Sequence, residues 1–436
     1  MSFRDRFAIF AGKSVAWVSK TFGLGAGATW PGEVALSISP DILKPLAEQF
    51  RKGVILIAGT NGKTTTSLMI KTVVEYEQLS VIHNASGANL LNGLVSACAI
   101  KTSGSETIDA DWGIFEVDEN SLPIILKYAK PKVLVLLNLF RDQLDRYGEV
   151  DVVAEKWQYA LSLLTSDTTL VLNADDPLIA SLGKKTKASV LYFGLDERGE
   201  QAVELEHATD SIFCYSCGSR LFYHAYYFSH LGDWYCKACG EKRPAINLSS
   251  WESPLPGQYN LYNTLAAVLT TQTIGIHSKH IKDALKGFAP AFGRQEEREV
   301  DGKKIKLLLS KNPAGFNASI RAVLDMKPKA ILLALNDRIP DGRDVSWIWD
   351  VDFEMIPLSL PVVVTGDRVY DMALRIQYRD SKFESRNTKQ LVVEPNVRKA
   401  IHEALSMIKT GETLYALPTY SAMLDIRKIV TGRRIL

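Results

Sequence analysis

The sequence predicts an α/β chain: a central domain on a mainly parallel sheet, a cysteine-rich insertion, and a smaller C-terminal α/β domain. Three observations predict it. Strand-like apolar runs alternate with helical patterns from Gly53 to about Gly194, the pattern of a parallel sheet covered by helices. One of these runs leads straight into Gly59-Thr60-Asn61-Gly62-Lys63-Thr64-Thr65. Between about 205 and 250 the alternation stops, and four of the five cysteines fall there in two pairs.

Residues 1–45 read as one helix and a glycine-rich loop. The helix, over 3–22, carries Phe3, Phe7, Phe10 and Trp17 on one face and Arg4, Arg6, Lys13 and Lys20 elsewhere. The simpler expectation is a first helix packed on the body. The alternative is a face that meets an anionic membrane surface.

The central domain is expected over 46–290. The run Val54-Ile55-Leu56-Ile57-Ala58 is a buried strand, and the glycine-turned loop after it opens a helix running to about Glu77. Such a loop aims backbone N–H groups inward, beside the positive end of the helix. Lys63 can then reach a terminal phosphate, and the Thr64 hydroxyl can ligate Mg²⁺. The segment predicts a nucleoside triphosphate site, although the generic loop has a glycine where this chain has Ile57. A tight turn with an incidental lysine is the alternative.

Further strands are predicted at Trp112–Val117, Val133–Leu139, Leu170–Leu172 and Val190–Phe193, with a helix at Val152–Leu164. Ligands of such sheets bind at the carboxyl ends of strands, where Glu116 and Asn138 fall. Glu116 is a candidate Mg²⁺ ligand; an exposed acidic turn is the alternative. Asn173-Ala174-Asp175-Asp176-Pro177 reads as a turn and helix cap.

Cys214-x₂-Cys217 and Cys236-x₂-Cys239, separated by 18 residues, offer four soft ligands for a tetrahedral Zn²⁺. A closed four-cysteine site has no open position, so it reads as structural. Cys98 is expected to be a small core residue. A helix at Gln258–Thr273 ends the domain. After a boundary at Ala289–Gly293, strands at Lys304–Leu309, Ala330–Ala334 and Leu360–Thr365 begin a C-terminal α/β domain over 295–436.

Composition narrows the class. A net charge of +2 supplies no electrostatic footprint for nucleic acid. Apolar runs such as Val133–Leu137 are far short of the ~20 residues of a membrane span. No secretory signal is visible. A cytosolic enzyme is the simplest class.

In order along the chain, Gly59–Thr64, Glu116, Asn138–Gly148, Asn173–Pro177, Gly257-x-x-Asn260-x-x-Asn263 and Arg294 resemble the Mur ligases and folylpolyglutamate synthases. These form an amide by phosphorylating a carboxylate with ATP and letting an amine attack the acyl phosphate. The cysteine ribbon, Lys311-Asn312-Pro313-Ala314-Gly315 and the segment Asp341–Phe353 further resemble the MurT family. The resemblance implies ATP, Mg²⁺ and Zn²⁺, and amidation of the D-glutamate α-carboxylate of the lipid II stem peptide. Ammonia would come from a GatD-like glutaminase in a heterodimer. It places Thr64 and Glu116 on Mg²⁺, and Asn138, Asn260, Asn263 and Arg294 around the nucleotide. It points Asp350 toward the glutaminase site.

The chain also departs from the pattern. Gln143 stands where Mur ligases usually have a His on a second Mg²⁺, and Lys156 is only roughly placed for their carbamoylated lysine. Leu308 and Lys311 stand where amino-acid-adding relatives have an acid and a His, which fits ammonia as nucleophile. A ligase adding an amino acid is the near alternative reading, and a zinc-ribbon regulatory or nucleic-acid-dependent ATPase the distant one. A location at the inner face of the membrane would follow from a lipid-linked substrate.

Overall fold

The computed structural model describes residues 1–22, 29–84, 88–103, 107–141, 150–196, 207–289, 294–379 and 390–431. The first sheet has six strands: β1 (Gly53–Ala58), β2 (Val81–His83), β3 (Trp112–Val117), β4 (Val133–Leu136), β5 (Thr169–Asn173) and β6 (Ser189–Phe193). They run in the order β2-β3-β1-β4-β5-β6, every pair parallel. β1 lies in the middle, with Ala58 opposite Val117 on one side and Leu136 on the other. The segments following β1, β3 and β4 therefore leave the sheet at one edge, where ligands of such sheets bind.

Alternation along β1 divides its side chains between two cores. Val54, Leu56 and Ala58 join one. It is covered by α1 (Phe3–Thr21), α2 (Trp30–Ile38), α3 (Leu43–Ala47), α5 (Leu91–Lys101), α6 (Leu122–Tyr128) and the helix Val150–Ser162. Ile55 and Ile57 join the other, covered by α4 (Lys63–Tyr76) and the helix Gln258–Thr273. Burial on both faces explains why these strands read as unbroken apolar runs. Cys98 is fully buried on α5, as expected.

The first helix packs on the body, as the simpler expectation has it. It seats on its neighbours by Ala8, Ile9, Gly12 and Ser19. A Cβ on Gly12 would stand 2.8 Å from the Pro31 carbonyl oxygen, so the glycine sets the approach of α1 to α2. The aromatic stripe faces outward instead, with Phe3 86%, Phe10 61% and Trp17 67% exposed. Bulky rings cannot enter a contact this close.

The insertion is a two-stranded antiparallel hairpin, β7 (Phe222–Phe228) and β8 (Leu231–Tyr235). The C-terminal domain is a second six-stranded sheet: β9 (Arg294–Val300), β10 (Lys303–Leu308), β11 (Ile331–Ala334), β12 (Val362–Thr365), β13 (Leu391–Val393) and β14 (Thr413–Pro418). Its order is β13-β12-β11-β14-β10-β9, parallel except for the β9–β10 hairpin. Arg294 opens a strand rather than lying in a linker. Its side chain, and residues 290–293, lie outside the described residues.

Candidate active site

The phosphate loop is built by two glycines and an asparagine. Gly59 has φ +137°, and a Cβ there would meet Leu137 Cβ at 2.9 Å and Asn138 backbone at 3.0 Å. Gly62 has φ +93°, in the left-handed region that favours glycine, and a Cβ would lie 2.0 Å from Asn263 Oδ1. Asn138, just past β4, splints the loop: its Oδ1 accepts from the Asn61 N–H (2.9 Å) and its Nδ2 donates to the Asn61 carbonyl (3.1 Å). The chain then enters α4 directly, so Lys63, Thr64 and Thr65 occupy its first turn.

Lys63 is buried. Its ammonium donates to the Gly59 carbonyl (2.5 Å) and pairs with Glu119 (3.2 Å). Glu119 is a partner that the sequence did not assign, although it follows directly on the acidic end of β3. Thr64 donates its hydroxyl to Glu116 Oε2 (2.6 Å). Glu116 is 2% exposed, and its Oε1 has no partner among the described residues. Asn84 holds the Glu116 backbone on both sides, accepting from its N–H (3.0 Å) and donating to its carbonyl (2.8 Å).

An unpartnered buried carboxylate oxygen is costly unless something binds it. A divalent cation held by Glu116 and the Thr64 hydroxyl fits this pair of oxygen donors. His83, at the end of β2, faces Ser67 Oγ at 3.0 Å. Burial holds its pKa down at about 4, so it stands neutral.

A cavity opens beside the loop, lined by Asn61, Asn138, Asn260 and Asn263 from the central domain and Leu308 and Lys311 from the C-terminal one. Asn263 and Asn260 stand one turn apart, with Asn263 Nδ2 3.4 Å from Asn260 Oδ1. The C-terminal domain meets the loop directly. Asn312 Nδ2 donates to Asn61 Oδ1 (3.1 Å) and Asn61 Nδ2 to Asn312 Oδ1 (3.4 Å). Asn312 also caps the helix Pro313–Asp325 through the Gly315 N–H (2.8 Å).

The four ribbon cysteines come together. Their sulfurs lie within 4.8 Å of one another, with Cys214–Cys239 and Cys217–Cys236 at 3.6 Å. Four free thiols so grouped fit a structural zinc ion. The hairpin they anchor reaches the nucleotide cavity, where Phe228 and Leu231 form part of the wall. Phe228 packs edge-on against Phe140 at 5.7 Å, and the Phe140 N–H donates to Thr60 Oγ1 in the loop (3.0 Å).

Asp175 and Asp176 extend beyond their expected role. Asp176 caps the helix Pro177–Leu182 as predicted. Asp175 is fully buried and ties the insertion to the sheet, accepting from Tyr262 Oη (2.7 Å), Arg243 Nη1 (3.0 Å) and the Leu195 N–H (2.7 Å). Burial pushes its carboxyl up to about 7 against the pull of Arg243.

Asp350 is not among the residues lining the cavity; it ends the 3₁₀ turn Ser346–Asp350, with its side chain 41% exposed. Arg141 Nη1 stands 3.4 Å away, and Arg141 also pairs with Asp210. Nothing in the sequence linked these segments. Asp142 and Gln143 lie outside the described residues. Lys156 is exposed; the neighbouring Trp157 is the buried residue and donates to the Glu119 carbonyl (2.7 Å).

Comparison with known proteins places this architecture. Residues 57–271 match the Mur ligase middle domain. A pseudomurein peptide ligase type C from Methanothermus fervidus superposes with a TM-score of 0.65 at 21% identity, over 89% of this chain and 80% of that one. MurF from Thermotoga maritima, solved with ADP, gives 0.62 at 15% identity over 91% and 84%. Fold and loop together are those of an ATP-dependent ligase of the Mur class. Residues 309–423 match the MurT ligase C-terminal domain. Lipid II isoglutaminyl synthase (glutamine-hydrolyzing) subunit MurT of Staphylococcus aureus strain COL is 32% identical over 96% of both chains. The subunit of the same name from Streptococcus pneumoniae R6 is 32% identical over 100% of this chain and 99% of that one. The chain belongs to the MurT family.

Proposed function

We propose that this chain is the synthetase subunit of an isoglutaminyl synthase: it uses ATP to convert the α-carboxylate of D-glutamate in the lipid II stem peptide to an amide. One observation carries the reading of the site: the Thr64–Glu116 pair beside the phosphate loop, with a buried carboxylate oxygen left over. Near-full-length similarity to the two MurT subunits supports the choice of acceptor.

ATP lies along residues 59–65, its phosphates met by loop N–H groups and by Lys63, which leaves Glu119 for the terminal phosphate. Thr64 and Glu116 would hold Mg²⁺, which neutralises phosphate charge when bound. Asn138, Asn260 and Asn263 line the cavity that would take the nucleotide, and the family resemblance adds Arg294. The acceptor carboxylate attacks the γ-phosphorus to give an acyl phosphate and ADP. Positioning and charge stabilisation dominate such a transfer. Ammonia then attacks the acyl carbon and phosphate leaves. Water must be excluded, because it would hydrolyse the acyl phosphate; the Asn61–Asn312 contact closes the C-terminal domain over the loop for that purpose.

Leu308 and Lys311 leave the cavity without an acid–His pair for an amino acid, which suits ammonia. The ammonia comes from a GatD-like glutaminase, with Asp350 on the side of the C-terminal domain that meets it. The complex works at the inner face of the membrane, where its substrate is anchored.

Two variants test this. Lys63→Ala should abolish ATP-dependent amidation with ammonium supplied directly; retained activity sinks the nucleotide assignment. Asp350→Asn should lose glutamine-driven amidation in the complex and keep ammonium-driven amidation. Equal loss of both moves Asp350 into the synthetase site.

A further inference from the structure

We infer that the outward face of α1 is a docking surface for an anionic lipid bilayer. This deepens the proposed action on a lipid-linked substrate and rests on that reading for its purpose. Phe3, Phe7, Phe10 and Trp17 recur at helical spacing and form one stripe over ~21 Å of helix at 1.5 Å per residue. They are 86%, 53%, 61% and 67% exposed, and Phe22 and Trp30 are exposed as well. A contiguous aromatic patch of this size on a water-soluble surface marks an interaction site.

Charge selects the occupant. The helix carries four basic residues, Arg4, Arg6, Lys13 and Lys20, and one acid. That acid, Asp5, is turned to the protein, accepting from the Ser2 N–H (2.8 Å) and the Ser39 hydroxyl (2.7 Å). Arg4 donates to the Ile38 carbonyl and Lys13 to the Thr102 carbonyl, so Arg6 and Lys20, both exposed, are the basic residues beside the stripe. Rings that enter the headgroup region beside basic side chains that reach phosphates define an interfacial helix. Among the described residues no helix is long and apolar enough to cross a membrane, so the helix lies on the bilayer and does not span it.

The seating of α1 turns this face outward rigidly. Gly12 abuts Pro31, and the Lys13 ammonium donates to the Thr102 carbonyl (2.7 Å) at the end of α5. The other end of α5 follows the segment in which Asn84 grips Glu116. Docking by α1 therefore orients the central domain on the lipid surface.

The test is co-sedimentation of the full chain with vesicles of phosphatidylglycerol and phosphatidylcholine, against phosphatidylcholine alone. The wild type should bind the anionic vesicles more tightly. Binding should fall at least tenfold in Phe7→Ser/Phe10→Ser/Trp17→Ser, and also in Arg6→Glu/Lys20→Glu. Both variants should amidate a water-soluble stem-peptide substrate with ammonium at the wild-type rate. No vesicle binding by the wild type, or undiminished binding by the aromatic variant, overturns the inference. So does light scattering showing that the stripe only pairs two copies. Vesicle binding without amidation would leave the docking face standing and remove the proposed function; the reverse pattern would do the opposite.

Discussion

Asn312 in the C-terminal domain and Asn61 in the phosphate loop exchange side-chain amide hydrogen bonds at 3.1 and 3.4 Å. The same Asn312 carboxamide oxygen caps the helix Pro313–Asp325. One side chain thus ties helix stability to domain closure, and the two roles separate by substitution. Asn312→Asp keeps the capping oxygen and loses the donor to Asn61; Asn312→Ala loses both. Both variants should slow ammonium-driven amidation. Only Asn312→Ala should lose about 1 kcal/mol of stability, the usual worth of a cap, seen in thermal unfolding. Full activity in Asn312→Asp would show that the amide pair does not matter to closure.

Glu116→Gln keeps the shape and the acceptor for Thr64 but removes the charge beside the unpartnered oxygen. The Mg²⁺ concentration for half-maximal activity should rise at least tenfold, ~1.4 kcal/mol of binding. The melting temperature should not fall, because neutralising a buried carboxylate is not costly. A Mg²⁺ titration decides this, and an unchanged midpoint removes Glu116 from the metal site.

Removing the ribbon metal should reach the nucleotide. Phe228 touches both the cavity and Phe140, which in turn holds Thr60. Chelation, or Cys236→Ser, should loosen the hairpin and weaken ATP binding at least tenfold in a direct binding assay. Phe228→Ala should weaken ATP binding with the metal still bound. Unchanged affinity in the metal-free chain contradicts the coupling.

His83 should shape the acid limb of stability. Its folded pKa of about 4 lies below the ordinary 6.5, so from pH 6.5 down to 4 the unfolded chain binds a proton that the folded chain does not. Stability is full above 6.5 and falls as the pH drops toward 4, by at most ~1.4 kcal/mol per pH unit. His83→Asn should flatten that limb in urea unfolding at pH 7 and pH 5. An unchanged slope means that other groups set it.

Legibility followed burial. β1, β3 and β4 are covered on both faces and read as apolar runs, and the loop after β1 carries its own chemistry in sequence. β9, Arg-Gln-Glu-Glu-Arg-Glu-Val, is an edge strand stabilised by pairing with β10, and its charged sequence has no strand signal. β14 sits inside the sheet, yet it ends in Pro418, which reads as a strand breaker. The period of α1 showed a two-faced helix but not which face turns inward; the small residues Ala8 and Gly12 decided that. Contacts such as Arg141–Asp350 and Lys63–Glu119 depend on how the chain is folded back on itself, and no local pattern encodes them.

The central claim is that this site joins ammonia, and not an amino acid, to an activated carboxylate. The most direct measurement is mass spectrometry of the product from the purified chain, ATP·Mg²⁺ and a stem peptide, offered ammonium and a mixture of amino acids together. The account predicts conversion of the D-glutamate α-carboxyl to an amide, with one ADP per amide and no product enlarged by a residue. A product carrying an added amino acid would contradict it.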